Sequence, residues 1–308
     1  MLRPFTLHRP ETAEEACALL VELGEDAAVY AGGTELLLLM KLGMLRPRHL
    51  VDVKRIPGFS TISLDEGARL TIGAAVTHRT VELSALVRAR CPLVGTVARH
   101  VANVRVRNVG TVGGNLAFAD PHSDLATLFL TFDASVELQS PRGRRELPLD
   151  DFVLGPWETA RTSNEVVASV KLTPWPGETH AAYAKFGVHE RPTLAIAAML
   201  RLAPGRSGHD GDRVAEARIA IGCVNPRPMR IAGAEARLTG ASVTDLESAA
   251  REASDIAAAG VDPADDLYGS ADYKREMVSV FVRRALLVAA ARARGTEPVA
   301  RFPHAVVA

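Results

Sequence analysis

Val29-Tyr30-Ala31-Gly32-Gly33-Thr34-Glu35-Leu36 runs from a short β-like stretch through a glycine pair into an apolar helical run. Glycines adopt positive φ readily and let a ligand come close to the backbone. The first amides of a helix lack intrahelical acceptors and carry partial positive charge. The Thr34 hydroxyl adds a donor. Such a turn suits a phosphate, although the same turn also serves as a plain connection. A second stretch, Thr111-Val112-Gly113-Gly114-Asn115, reads as another glycine turn with the same ingredients. Two such turns point to two phosphates gripped from two sides, hence a dinucleotide. Neither stretch has the GxGxxG of a Rossmann unit or the GxxxxGK of a P-loop, so the pattern points away from the usual nicotinamide fold.

Nine residues after Asn115, Asp124 follows Asp120-Pro121-His122-Ser123. Its carboxylate is read either as an acceptor for a ribose hydroxyl or base, or as the N-cap of a helix from Leu125 to Phe132. His122 is read as a solvated loop residue or a cofactor contact.

Working outward, Thr12-Ala13-Glu14-Glu15 fits a capping box before Ala16, Leu19, Leu20 and Leu23, with Gly24 as the stop. A helix starting near Thr34 stops at Gly43. Strands are expected at 49–53, 61–64, 69–72, 136–138, 145–147 and 165–172. Thr77 caps a short helix, and Pro92 opens one through Val101. A boundary is placed at Pro174-Trp175-Pro176-Gly177, with Trp157 and Trp175 packing near it. Beyond lie strands at 181–186, 194–202 and 217–224, a polar hairpin loop or disordered tip at 205–212, and helices near 244–259 and 271–294. The tail after Gly295 has no clear period. The order is α+β rather than strict βαβ alternation.

The 308 residues exceed a single small core, and 36 basic residues balance 36 acidic ones. That balance leaves no footprint for nucleic acid or an anionic membrane. The densest apolar run, Leu36 to Met40, is far too short to span a bilayer, and the chain start lacks a secretory apolar core. A cytoplasmic setting is expected. Cys17, Cys91 and Cys223 lack CxxC spacing and are read as small buried residues. The nine histidines show neither HxxxH nor HExxH spacing, so no metal ligands are assigned.

Ala31-Gly32-Gly33-Thr34 together with Arg107-Asn108-Val109-Gly110-Thr111-Val112-Gly113-Gly114-Asn115 resembles the FAD-binding medium subunit of the xanthine dehydrogenase and carbon monoxide dehydrogenase (molybdenum hydroxylase) family. Residues 119–125, Tyr183-Ala184-Lys185-Phe186, residues 270–275 and residues 282–286 continue the resemblance, which runs from about Phe5 to about Ala290. It implies a two-lobed FAD-binding domain of the vanillyl-alcohol-oxidase (PCMH) type over residues 1–175, with lobes 1–56 and 57–175. A C-terminal α+β domain with a three-stranded antiparallel sheet and helices would occupy 176–290, and a tail 291–308. FAD would lie between the lobes. Val29, Tyr30, Ala31, Gly32, Gly33, Thr34, Glu35 and Leu36 would hold the pyrophosphate, together with Thr111, Val112, Gly113, Gly114 and Asn115. Asp124 would sit near the ribose or adenine, and Val101, Val167 and Lys185 would line the flavin.

No catalytic side chain is required, because the cofactor performs the redox step. Lys185 is read as a cation stabilising reduced flavin, or as a surface lysine ending a strand. The resemblance also implies partners: a large subunit with the molybdenum cofactor and a small subunit with 2Fe–2S clusters, assembled as a dimer of heterotrimers. The electron acceptor would be NAD+, oxygen or a quinone. Arg105 stands where many relatives have glutamine, and Glu35 where aspartate is common. The iron–sulfur insertion of the 4-hydroxybenzoyl-CoA reductase branch is not visible. A stand-alone flavin oxidoreductase and a nucleotide-binding scaffold subunit are the competing readings.

Overall fold

The computed structural model describes residues 2–187, 191–203, 212–244, 246–296 and 305–308. Contacts between Cα atoms divide the chain into two units: residues 1–120 with 133–174, and residues 121–132 with 175–308.

The first unit begins β1 (Thr6–His8), α1 (Ala13–Leu23), β2 (Ala27–Tyr30), α2 (Leu36–Leu42) and β3 (His49–Asp52). The three strands form a parallel sheet in the order β1-β3-β2. Thr12 caps α1 by accepting from the Glu15 amide, but the Glu15 carboxylate accepts from Glu11 N–H at 2.8 Å, so only half of the expected capping box forms. Gly24 and Gly43, both at positive φ, end α1 and α2 as expected.

Next come β4 (Ile62–Leu64) and β5 (Leu70–Gly73), an antiparallel hairpin. A run of short helices follows: α3 (His78–Leu83), α4 (Ala85–Arg90), α5 (Pro92–Ala98), α6 (Val104–Val109) and α7 (Val112–Phe118), and after them in the chain α8 (Asp124–Leu130), which belongs to the second unit. Thr77 caps α3 as expected. Helix α5 ends at Ala98, three residues short of Val101, because the chain turns through a positive φ at Ala102 and restarts at the Asn103 cap. Six-residue helices such as α4 and α6 carry too little periodicity to be seen in sequence. Then β6 (Ser135–Ser140), β7 (Gly143–Pro148), α9 (Leu149–Phe152), β8 (Val153–Gly155), β9 (Glu158–Thr159) and β10 (Val166–Leu172) close the unit. Its antiparallel sheet has the order β4-β5-β10-β6-β7.

The second unit holds β11 (Thr179–Phe186), β12 (Leu194–Ala203), β13 (Arg213–Gly222), β14 (Met229–Arg230), α10 (Ala232–Leu238), α11 (Leu246–Ala259), α12 (Ala271–Ala293) and β15 (Ala305–Val307). The three long strands are the expected antiparallel centre, and β14 and β15 extend it to the order β14-β13-β12-β11-β15. The tail therefore contributes a strand, held by Arg292, whose guanidinium donates to the Ala181 and Ala308 carbonyls. Of the polar 205–212 stretch, only Asp212 falls among the described residues.

Leu194, Ile196, Ala198 and Leu200 of β12 face one core with Leu246, Phe281 and Leu286 of the helices. Strand alternation sends Arg218 and Gly222 of β13 to the other face. There they meet α8: Gly222 lies against Thr127, and Arg218 donates to Thr131 O. All seven residues of α8 are buried. Trp175 stacks on Phe132 at 4.0 Å and donates to Thr131 O, whereas Trp157 is 64% exposed. The three cysteines are buried and form no disulfide among the described residues.

Candidate functional site: a backbone cradle and an acid–base cluster

The first glycine stretch leaves β2 and enters α2. Gly32 rests on backbone: a Cβ there would collide with Val109 O and sit 2.8 Å from Gly110 Cα. Gly33 has φ +70°, the left-handed region that favours glycine. The amides of Gly32, Gly33, Thr34 and Leu36 donate to no acceptor among the described residues, and no side chain caps α2. Such successive free amides at partial exposure are anion-binding chemistry. Lys54, which sequence reasoning missed, buttresses this loop. Its ammonium donates to Ala31 O at 3.1 Å, pairs with Asp52 at 2.8 Å and lies 3.9 Å from the Tyr30 ring centre. Its position just past β3, the strand beside β2, was the available signal.

The second glycine stretch corrects the sequence reading: it is not a turn but the start of α7. Thr111 is the N-cap and accepts from the Gly114 amide at 3.1 Å. Val112 N–H donates to Val76 O, Gly113 N–H to Ala74 O and Asn115 N–H to Thr111 O. The amides are thus spent on protein partners. Neither Gly113 nor Gly114 has positive φ; Gly113 is small because Ala74 lies against it, its Cα 2.7 Å from a built Cβ. What this stretch offers is shape, together with the Thr111 and Asn115 side chains.

Behind it sits His78, 3% exposed, with its amide donating to Gly110 O and its ring beside Gly110. Burial, with the Arg107 charge adding to it, pushes the imidazole down to about 4. Val101 and Val167 are both buried, the latter at an irregularity of β10 between Val167 and Ser169. Arg105 lies in α6, and Glu35 occupies the cap position of α2.

In the second unit the helix cap is Ser123, whose hydroxyl accepts from Ala126 N–H, not Asp124 as one sequence reading had it. Asp124 is the first residue of α8, 6% exposed. Its Oδ1 accepts from the Tyr183 hydroxyl at 2.9 Å and its Oδ2 from Lys185 Nζ at 2.6 Å. Burial, then the Asp124 charge, holds the Tyr183 hydroxyl well above its usual range, so it stays a donor. Lys185 is therefore not a solvated strand end, since its charge meets Asp124. His122 is not a solvated loop residue either. Its Nδ1 lies 2.7 Å from Pro192 O and its ring packs on Tyr268.

The strand–glycine–helix cradle of the first unit is dinucleotide-binding chemistry, and sequence comparison gives the class as flavoprotein. Residues 3–175 match the FAD binding domain in molybdopterin dehydrogenase, and residues 183–289 match the CO dehydrogenase flavoprotein C-terminal domain. The chain belongs to the family of FAD-binding medium subunits of molybdopterin dehydrogenases, whose members include xanthine and carbon monoxide dehydrogenases. The carbon monoxide dehydrogenase medium chain of Hydrogenophaga pseudoflava is 38% identical over 290 residues, 94% of this chain and 98% of its own length. The nicotine 6-hydroxylase medium subunit of Paenarthrobacter nicotinovorans is 30% identical over 92% of this chain and 96% of its own length. Among solved structures, the H. pseudoflava carbon monoxide dehydrogenase lacking the Mo-pyranopterin moiety matches with a TM-score of 0.88 and 38% identity, over 95% of this chain and 99% of that one. Quinoline 2-oxidoreductase from Pseudomonas putida 86 matches with a TM-score of 0.87 and 30% identity, over the same shares.

The chain is thus a flavoprotein subunit of the oxidoreductase type, and its cofactor is FAD. The residues present fit that cofactor: glycines without Cβ atoms, amides with no acceptor among the described residues and the Thr34 hydroxyl suit a pyrophosphate, in a loop buttressed by the Lys54–Asp52 pair.

Proposed function

We propose that this chain is the flavin relay of a heteromeric molybdenum hydroxylase or dehydrogenase. It takes electrons from 2Fe–2S clusters of a small partner subunit and passes them to NAD+, oxygen or a quinone. Substrate chemistry belongs to a large molybdenum-cofactor subunit, and the assembly is a dimer of heterotrimers. The observation that carries the cofactor part of this reading is the group of amides at Gly32, Gly33, Thr34 and Leu36 with no acceptor among the described residues. Bound FAD supplies the exchange of electrons between cluster and acceptor.

The chain's residues bind and orient. Val29 to Leu36 hold the pyrophosphate through backbone amides and the Thr34 hydroxyl. Thr111 to Asn115 form the second wall, through the Thr111 and Asn115 side chains rather than through free amides. Val101 and Val167 exclude water from the ring, and Asp124 and Lys185 contribute one paired polar contact. Because Lys185 is already neutralised by Asp124, the pair presents a dipole rather than a bare cation.

The test is FAD titration of the full-length chain, then anaerobic flavin reduction with and without the iron–sulfur and molybdenum partners. Reduction by an organic substrate only in the assembled complex supports the relay. Reduction of the isolated chain by such a substrate would instead make it a stand-alone oxidoreductase. A chain that refuses FAD would be a scaffold subunit.

A further inference from the structure

Three buried side-chain atoms without a hydrogen-bond partner among the described residues belong to residues of α3 and α6: His78 Nδ1, Glu82 Oε2 and Arg107 Nε. Buried polar atoms normally find partners, so this concentration of unmet ones needs a reason. Arg107 shows where its bonding goes instead. Its Nη1 donates to Val101 O and to Ala102 O, each at 3.0 Å. Ala102 has φ +41°, a conformation costly for a residue with a Cβ. The guanidinium thus serves a strained turn, and its Nε stands 3.7 Å from Glu82 Oε2, outside hydrogen-bond range. Glu82 turns its other oxygen to Arg79, at 2.7 Å.

The turn leads into α6 through Asn103, whose side chain accepts from the Arg105 and Val106 amides. Helix α6 ends at Val109, followed by Gly110, the backbone on which Gly32 rests. One six-residue helix therefore has the Val101 turn at its start and the meeting point of the two glycine stretches at its end.

We propose that Arg107 is a positioning residue for the flavin site. By holding the Val101 and Ala102 carbonyls it keeps the left-handed turn closed, and so sets the Val101 wall and the seat of the Gly32 loop. This rests on the reading above that Val101 lines the flavin. The hydrogen-bond acceptors of the guanidinium are backbone carbonyls, so its role here is set by the reach and direction of its Nη1 donors rather than by charge alone.

The full-length chain is titrated with FAD, and three quantities are read: the dissociation constant, the visible circular dichroism of bound flavin, and the thermal midpoint. Arg107→Gln raises the dissociation constant on the order of tenfold, as loss of an orienting residue does, and alters the flavin dichroism. Arg79→Gln breaks the outer ion pair of the same cluster and lowers the thermal midpoint without either effect. Ala102→Gly removes the turn's strain, so the double variant Ala102→Gly/Arg107→Gln regains affinity; this variant also serves if Arg107→Gln alone does not fold. Wild-type affinity and dichroism in Arg107→Gln, equal losses in Arg79→Gln, or no recovery in the double variant would each overturn the role of Arg107. Val101→Phe separates the two layers. If it leaves affinity and dichroism untouched, the placement of Val101 fails; if it perturbs them while Arg107→Gln does not, only the role of Arg107 fails.

Discussion

Lys185 Nζ lies 2.6 Å from Asp124 Oδ2, joining a strand residue to the first residue of a helix sixty-one positions earlier in the chain. The Tyr183 hydroxyl holds the other carboxylate oxygen. Lys185→Met strips the cation and leaves a half-satisfied carboxylate. The expected result is weaker FAD binding and a flavin midpoint potential lower by about 20 mV, the two-electron equivalent of roughly 1 kcal/mol from one nearby uncompensated charge. Spectroelectrochemical titration of wild type and variant measures it. Unchanged affinity and potential would remove the pair from the cofactor site.

Gly32→Ala should cost more than Gly33→Ala. At position 32 the new methyl meets Val109 O and Gly110 Cα, backbone atoms fixed by the neighbouring stretch. Overpacking of that kind costs about 1–3 kcal/mol. At position 33 the left-handed φ costs about 1–2 kcal/mol and the new methyl would also sit 2.5 Å from the Tyr30 ring, a side chain that can shift where the backbone at position 32 cannot. Urea unfolding gives the stability difference. FAD titration should show both variants weakened, since each shifts the free amides.

His78 makes stability depend on pH. Its folded imidazole titrates at about 4, against an ordinary value of 6.5. Between those values the unfolded chain binds a proton that the folded chain refuses. Stability is therefore full above about pH 6.5 and falls as pH drops toward 4, by up to about 3 kcal/mol. Urea midpoints at pH 7.5, 6 and 5 should fall in wild type and much less in His78→Gln. Equal slopes in the two proteins would contradict the burial argument.

A fragment ending at Pro174 should behave badly. It retains α8 but lacks β12 and β13, which that helix packs against in the second unit. Leu125, Leu128 and Phe129 would lose their cover, at roughly 1.5–3 kcal/mol each. Low soluble yield and strong binding of a hydrophobic dye are expected. Replacing residues 121–132 by a short Gly/Ser linker should restore solubility, as compared by size-exclusion chromatography.

Local chemistry was legible in the sequence. Thr12, Thr77, Gly24 and Gly43 mark helix ends because a cap is settled by a few neighbouring residues. The strand–glycine–helix pattern at Val29 to Leu36 was legible for the same reason, and with the motif around Gly113-Gly114 it led to the family. What the sequence did not reveal were the bonds made across the chain. Both glycine pairs look alike as strings, yet one keeps its amides free while the other spends them on Val76, Ala74 and Thr111. Asp124 read equally well as a cap until Ser123 took that role and Tyr183 and Lys185 claimed the carboxylate. The role of Lys54 and the β15 strand of the tail were invisible because their partners lie at separations that periodicity does not encode. The sequence by itself determined the family, the cofactor class and the glycines that make a cradle possible. Only the tertiary structure decided which amides remain available and which charges are already paired, because a hydrogen bond is short in space and indifferent to separation along the chain.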